Sequence, residues 1–334
     1  MKYFYLLLPY VVVSVCLAGC KKDNGVAPKP AATVYKAPAN FRVLGYMYVE
    51  DAESAAGKNF DLARINYLNI AFFNPDASGN FSGIGALAPM ISAAHDKNVK
   101  IMASLGGSDA PAYWATILGN ATRDAFITTI VQLAVNNNLD GIDIDLEGDL
   151  IDANYEAFVT GLGTALRAKG KLLTAAIATW ESASFTDNAL AAFDFVNVMS
   201  YDATGPWDLS DPGPQSPYAM AVSDLNYWGN TRGIAKQKMN LGVPFYGYGF
   251  GKGVPEEIDY ADIVTNYTGA ENRDQTSVKA GGTIYYNGMP TIAKKTTLAM
   301  QNAGGVMMWE LMGDADGQYS LLNVVDKTAN PGNE

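Results

Sequence analysis

Acidic and apolar residues alternate in the segment LDGIDIDLEG, which spans residues 139–148. Successive side chains on a β-strand point to opposite faces, so Asp143, Asp145 and Glu147 share one face and the apolar residues between them share the other. Carboxylates this close repel one another, and at least one of them must keep its proton. A carboxyl that stays protonated near neutral pH can act as a general acid toward a leaving oxygen.

Three interpretations of this segment compete. In a calcium loop that starts at Asp143, the glycine of position 6 would be Gly148, but position 12 would be Asn154 instead of the bidentate Glu, and no helix precedes the loop. A solvated charged face is disfavoured because the intervening residues are Ile and Leu and the strand is predicted to be central. The third interpretation is a buried acid relay: Glu147 contacts the substrate, while Asp145 repels its charge and shares a proton with Asp143.

The elements that position this segment follow a repeated pattern from residue 41 onward. Short apolar runs predict strands, and they alternate with segments of helical periodicity. The runs are RVLGYMYV, INYLNIAFF, VKIMASLGG, LDGIDIDLE, KLLTAAIATW, FDFVNVMSYD, KMNLGVPFYG and GGVMMWEL, and the helices include 86–97, 121–137, 152–169, 218–234 and 290–302. Eight such units predict an α/β fold, the parallel (β/α)8 TIM barrel. An open doubly wound sheet is the alternative, but no phosphate-type glycine loop follows the first run.

Polar and aromatic residues gather at the carboxyl ends of these runs, where barrel enzymes place their active sites. They are Ser104, Glu147, Tyr201, Asp202, Tyr246, Trp309 and Glu310.

The acidic segment matches the DxxDxDxE signature of family-18 glycoside hydrolases, which comprise chitinases and related endo-N-acetylglucosaminidases. SLGG at 104–107 resembles the SxGG of the family's third strand, and MSYD at 199–202 resembles the MxYD of the sixth. GVMMW at 305–309 resembles the eighth strand, whose Trp lies under the subsite before the scissile bond. With GYMY, NIAFF and GVPFYGYG also similar, the resemblance covers residues 41–325.

The resemblance implies retaining, substrate-assisted catalysis, an exception to the usual pair of carboxylates. Glu147 would protonate the glycosidic oxygen while the sugar's acetamido oxygen attacks C1 to form an oxazolinium ion. Asp145 would stabilise that cation, with Asp143 behind it as proton-sharing partner, and Tyr201 would hold the acetamido carbonyl in line. No cofactor is implied, because the substrate supplies the nucleophile.

The same resemblance and the strand-end positions predict the residues that bind the glycan. Asp202 would help to position the distorted sugar and Trp309 would support its apolar face. The remaining predicted binding residues are Tyr46, Phe72, Met199, Trp207 and Tyr246. Trp180 could face the cleft, whereas Trp114 lies on a helix-like stretch and is predicted to be packing.

Two features depart from many chitinases. Gly148 stands where a Tyr commonly follows the catalytic Glu. Only about 40 residues separate GVPFYGYGF from the last helix, which predicts a barrel without a sizeable insertion domain and leaves no room for the small α+β insertion that walls the groove of processive exo-chitinases. An open cleft that suits endo cleavage follows from this prediction.

Composition excludes several other classes of protein. The net charge of −11 argues against a nucleic-acid partner, since phosphate binding requires clustered Lys and Arg. The single histidine, His95, lies at a predicted helix end, and Cys16 and Cys20 are the two cysteines. A His- or Cys-based metal site is therefore not expected, and no metal is predicted.

The amino-terminal segment has the features of a processing signal. MKYFYLLLPYVVVSVCLAGCKK contains an early Lys, a short apolar run and small residues before Cys20. LAGC resembles a lipobox, so the predicted organisation is a lipoprotein signal peptide at 1–19, a lipidated Cys20 with a tether at 20–40, and a catalytic barrel at 41–334. A transmembrane anchor is disfavoured, because the run is short and contains Pro9. Lipidation predicts a bacterial cell-envelope location at the outer membrane.

Three functions remain open from the sequence. The first is an endo-acting chitinase, and the second uses the same chemistry on the chitobiose core of N-glycans. Relatives of the second kind often lack the Asp of MxYD, so Asp202 favours the chitinase. The third is a lipid-anchored, non-catalytic glycan-binding protein, against which the intact Glu147 argues.

Overall fold

The computed structural model describes residues 36–54 and 61–331, and its main feature is a closed barrel of eight parallel strands. The strands are β1 Arg42–Tyr48, β2 Tyr67–Phe73, β3 Lys100–Gly106, β4 Gly141–Asp145, β5 Leu172–Ile177, β6 Phe195–Val198, β7 Met239–Pro244 and β12 Gly305–Trp309. Around the barrel the strand order is β1-β12-β7-β6-β5-β4-β3-β2. The predicted (β/α)8 barrel is confirmed. The predicted signal peptide, Cys20 and most of the tether lie outside the described residues.

Helices connect the barrel strands and cover their outer side. They are α1 Val49–Ser54, α2 Ala88–Asp96, α3 Trp114–Ile117, α4 Arg123–Asn136, α5 Tyr155–Arg167, α6 Asp187–Ala192, α7 Tyr218–Asn226, α8 Tyr260–Asn266, α9 Met289–Asn302 and α10 Leu321–Ala329. On α5, Phe158, Leu162 and Leu166 are buried at helical spacing, so one face of the helix packs against the barrel. In the described part of the chain, none of these helices has the length and apolar character needed to cross a membrane.

The core has two layers because the strands are buried on both faces. The larger layer lies between strands and helices and includes Ile142 and Ile144 of β4. The smaller layer fills the barrel interior and includes Tyr46, Tyr201 and Met307. In β4 the isoleucines therefore face the helices, and the acidic positions face the barrel interior.

An insertion follows β7 and corrects one prediction. Tyr246 to Tyr285, 40 residues, contains the antiparallel strands β8 Tyr246–Phe250, β9 Glu257–Asp259, β10 Gln275–Ser277 and β11 Thr283–Tyr285, in the order β10-β11-β8-β9, together with α8. The interpretation that this segment leaves no room for an α+β insertion was wrong, because three of its strands need only three residues each. The insertion is still smaller than an independent domain.

Candidate active site

Asp143 is the deepest acid of β4 and is surrounded by hydrogen-bond donors. The strand register places it opposite Ser104 of β3 and Thr174 of β5. Its carboxylate accepts hydrogen bonds from Tyr46 Oη at 2.7 Å, Ser104 Oγ at 2.8 Å and Thr174 Oγ1 at 2.5 Å. Burial raises the pKa of Asp143, and these hydrogen bonds oppose the rise. Asp143 is therefore a fully buried group anchored from three other strands.

Asp145 lies one pleat further along the same face. It is 4% exposed, and among the described residues its Oδ1 has no hydrogen-bond partner. Burial raises its pKa well above the usual range, and the charges of Glu147, Asp143 and Glu181 raise it further. Gly106 makes this packing possible, because a Cβ there would lie 2.3 Å from the carbonyl oxygen of Asp145. Asp145 is thus a buried acid between Asp143 and Glu147, with one carboxyl oxygen that can still accept a hydrogen bond.

Glu147 follows β4 and is half-buried in a cleft at the carboxyl ends of the strands. Burial raises the pKa of Glu147 to about 7, with further contributions from the charges of Glu181, Asp202 and Asp109. At the pH of most cellular compartments a large fraction of this carboxyl holds a proton. Glu147 can therefore donate a proton to a group bound in the cleft.

The cleft has a volume of about 600 Å³ including its open mouth. Its lining residues come from seven barrel strands and the loops after them: Tyr46, Phe72, Ser108, Asp145, Glu147, Ala176, Trp180, Met199, Tyr201, Asp202 and Trp309. Trp309 stacks on Phe72 with ring centroids 5.5 Å apart and an interplanar angle of 27°, and its centroid is 5.4 Å from that of Tyr46. Flat apolar rings thus form one wall of the cleft, opposite polar groups that include Glu147 and Asp202.

Tyr201, Asp202 and Tyr246 form a second group after β6 and β7. Tyr201 lines the cleft, and its O–H lies 3.9 Å from Met307 Sδ. Asp202 has a left-handed φ of +62° and accepts a hydrogen bond from Tyr246 Oη at 2.5 Å. Burial raises the pKa of Asp202, opposed by the hydrogen bond from Tyr246. The backbone and Tyr246 together fix the direction of the Asp202 carboxyl.

Most predicted binding residues lie at the cleft, and two lie beside it. Tyr46, Phe72, Met199, Asp202 and Trp309 line it. Tyr246 is buried behind Asp202, outside the lining residues. Trp207 is 61% exposed on the next loop, where it packs edge-on against Tyr248 at 5.5 Å. Their contacts with substrate remain predictions.

The structure places the other two tryptophans, Trp180 and Trp114, in different environments. Trp180, left open by the sequence, is 67% exposed and lines the cleft. Trp114 is fully buried in the packing between helices, as predicted, and its Nε1–H donates to Asn74 at 2.7 Å.

Glu181 is a site residue that the sequence interpretation missed. It is 5% exposed, and burial raises its pKa to about 7. Its charge acts on both Glu147 and Asp145. The rule that selects polar residues after barrel strands also applies to Glu181, which stands four residues after the end of β5.

Asp140 and His95 have structural positions. Asp140 Oδ2 accepts the amide of Ile101 at 2.9 Å and lies 2.9 Å from His95 Nε2. This pair joins the end of α2 to the start of β4, at the opposite end of the barrel from the cleft.

Comparison with known proteins gives a consistent family assignment. The family described as "Glycosyl hydrolases family 18" matches residues 42–314. A family-18 chitinase structure from the chitin utilization locus of Flavobacterium johnsoniae is 33% identical, with a TM-score of 0.78, covering 90% of this chain and 99% of that one. A chitinase structure from Bacteroides thetaiotaomicron is 26% identical, with a TM-score of 0.74, covering 88% and 99%.

A curated relative widens the range of functions to consider. A protein of Moniliophthora perniciosa named "chitinase-like effector" is 28% identical over 278 residues, which is 70% of this chain and 63% of that protein. The chain spans less than two thirds of the length of the curated relatives that it matches first.

Proposed function

The chain belongs to glycosyl hydrolases family 18, and we propose that it is an endo-acting enzyme that cleaves β-1,4 bonds in N-acetylglucosamine polymers. One observation carries the proposal: Glu147, with a pKa raised to about 7, lies in an aromatic-walled cleft directly beyond the buried Asp145. This arrangement suits a proton donor next to a group that can stabilise positive charge.

In the proposed mechanism, Glu147 donates its proton to the glycosidic oxygen as the bond to C1 breaks. The acetamido oxygen of the sugar attacks C1 from the opposite side and gives an oxazolinium ion, with retention after hydrolysis. Glu147, now ionised, takes a proton from the attacking water. The carboxyl thus returns to its protonated state at the end of the cycle.

Asp145 and Tyr201 hold the acetamido group in this mechanism. Asp145 accepts the acetamido N–H as the ring closes, and its charge stabilises the cation. The Asp143 carboxylate, whose charge three hydroxyl donors stabilise, lies behind it and accepts the proton that Asp145 releases. Tyr201 donates its O–H to the acetamido carbonyl, and Trp309 lies under the sugar ring.

The endo-acting mode is supported by the small size of the insertion after β7. Its 40 residues contact Trp207 through Tyr248, and none of them is among the residues that line the described cleft. A long polymer can then enter along the open side of the cleft, without threading an end through a tunnel.

Product analysis tests the proposal. The purified protein is offered chito-oligosaccharides and, separately, a high-mannose glycoprotein. We expect β-anomeric products of mixed length from the oligosaccharides, because retention follows from the acetamido mechanism and mixed lengths from internal cleavage.

The other outcomes are equally informative. Release of whole glycans from the glycoprotein alone would move the substrate to the N-glycan core. Binding without any product would favour a glycan-binding protein. The relative named "chitinase-like effector" is the reason for including this interpretation. Uniform dimer release from one chain end would contradict the endo-acting mode.

Membrane anchoring through Cys20 is part of the proposal, supported by the LAGC segment and the apolar run before it. We expect the full-length chain, expressed in a Gram-negative host, to fractionate with the outer membrane and to incorporate labelled fatty acid. Cys20→Ala should abolish the label and release the protein from the membrane. A labelled Cys20→Ala variant would contradict this assignment.

A further inference from the structure

Glu181 connects the turn after β5 to the backbone that carries Glu147. The turn spans Thr179–Glu181, and Glu181 Oε2 accepts the amide N–H of Gly148 at 2.9 Å. Among the described residues its second oxygen, Oε1, is buried without a hydrogen-bond partner. The carboxyl group thus points inward to the end of β4, although the neighbouring Trp180 is exposed to the cleft.

The chain at Gly148 requires such an external acceptor. Glu147 is extended, with φ −122° and ψ 157°, and Gly148 turns left-handed with φ +58° to begin the short turn Gly148–Leu150. The first amides of a helical turn have no acceptor within the turn, and the Glu147 side chain does not cap them. Because Glu181 supplies the acceptor, the Glu147 carboxyl is left free to face the cleft.

The turn that carries Glu181 is itself held in place. Thr179 Oγ1 donates to Asp224 Oδ1 at 2.9 Å and accepts Trp228 Nε1–H at 3.0 Å. On its far side, Ser182 Oγ accepts a hydrogen bond from Tyr227 Oη at 3.0 Å. Glu181 is therefore a fixed acceptor, supported by α7 and the turn that continues it.

The charge of Glu181 also acts on the Glu147 carboxyl. Burial is the largest cause of the raised pKa of Glu147, and the charge of Glu181 is the next largest, ahead of the charges of Asp202 and Asp109. On Glu181 itself, hydrogen bonds from the amides of Gly148 and Ala178 lower the pKa and so oppose the effect of burial. Burial still raises the pKa of both carboxyls to about 7, so the two groups titrate in the same range and a proton on Glu181 favours ionisation of Glu147.

The other titratable groups that face Glu181 are Asp145 of β4 and Tyr155 of α5. Burial and then the Glu181 charge raise the pKa of Tyr155, so this phenol stays neutral. Burial and the charges of Glu147, Asp143 and Glu181 raise the pKa of Asp145. Neither group supplies a positive charge that would cancel the effect of Glu181 on Glu147.

We propose that Glu181 is a positioning residue for Glu147, fixing its backbone through the Gly148 amide and placing a second acidic group beside the Glu147 carboxyl. The inference rests on the proposed function of Glu147 as the proton donor. It assigns a role to a residue outside the acidic strand.

Two variants separate the two effects of Glu181. Glu181→Gln keeps an oxygen for the Gly148 amide but removes the negative charge. We expect kcat/KM at acidic pH to stay near the wild-type value. The alkaline limb of the kcat/KM profile, which lies near pH 7 in the wild type, should move to lower pH. Glu181→Ala removes both, and kcat/KM should also fall by about 10- to 100-fold at every pH, as expected for a displaced catalytic group. Asp96→Asn, an exposed charge removal at the end of α2, is the matched control and should leave the profile unchanged.

A measurement without substrate separates this inference from the proposed function. Carboxyl ¹³C NMR of Glu-labelled protein follows the titration of Glu147, with its signal assigned from Glu147→Gln. A lower pKa of Glu147 in Glu181→Gln supports the inference even if no glycan is hydrolysed, which would overturn the proposed function alone. An unchanged Glu147 titration in both Glu181 variants would overturn the inference while leaving hydrolysis by the wild type intact.

Discussion

Glu147→Gln is expected to reduce kcat by about 10²- to 10⁴-fold while leaving the fold and the affinity for glycan nearly unchanged. The amide keeps the size and shape of the carboxyl but has no proton that it can transfer to the leaving oxygen. Glu147 is half-buried at the cleft and makes no cap hydrogen bond with the turn that follows it. Its replacement therefore removes the chemistry and little of the packing.

Single-turnover hydrolysis of a chito-oligosaccharide measures this loss, and calorimetric titration with the same oligosaccharide measures binding. The thermal unfolding midpoint reports on the fold, with Asp96→Asn as a charge-removal control that is distant from the cleft. Turnover of Glu147→Gln within tenfold of wild type would contradict the proposed mechanism, because another group would have to protonate the leaving oxygen.

Asp145→Asn is the second large effect, with an expected loss of about 10²- to 10³-fold in kcat. The buried Asp145 carboxyl can become negative as the oxazolinium forms, whereas the amide stays neutral. Asn also carries an N–H₂ group where Asp145 would accept the acetamido N–H. The loss should therefore appear in kcat more than in KM, since the charge develops after binding.

A substrate comparison identifies the role of Asp145. The variant is assayed on oligosaccharides with N-acetyl groups and on analogues with N-thioacetyl groups, whose sulfur is a different nucleophile toward C1. The ratio of the two rates should change if Asp145 acts on the acetamido group. An equal loss on both substrates, together with a lowered unfolding midpoint, would assign Asp145 to folding instead of the reaction.

The sequence alone predicted those features whose evidence lies within one short segment of the chain. The alternation in LDGIDIDLEG determines which face of β4 is acidic, because the period of a strand is two residues wherever the strand lies. The eight apolar runs with intervening helices determined the barrel for a similar reason, since burial on both faces of a parallel strand requires continuous apolar composition. Strand-end positions then identified most residues of the cleft.

Contacts between distant segments were decided only by the tertiary structure. Glu181 is 34 positions from Glu147 in the chain, and barrel closure brings its carboxylate to the Gly148 amide. Whether Trp180 faces the cleft depends on how the loops and helices pack, because an aromatic residue after a strand has the same sequence context in both cases. The sheet after β7 escaped prediction because strands of three residues are too short to show a period. Periodicity encodes the elements, while pairwise proximity and the pKa shifts that depend on it arise only when the elements are assembled.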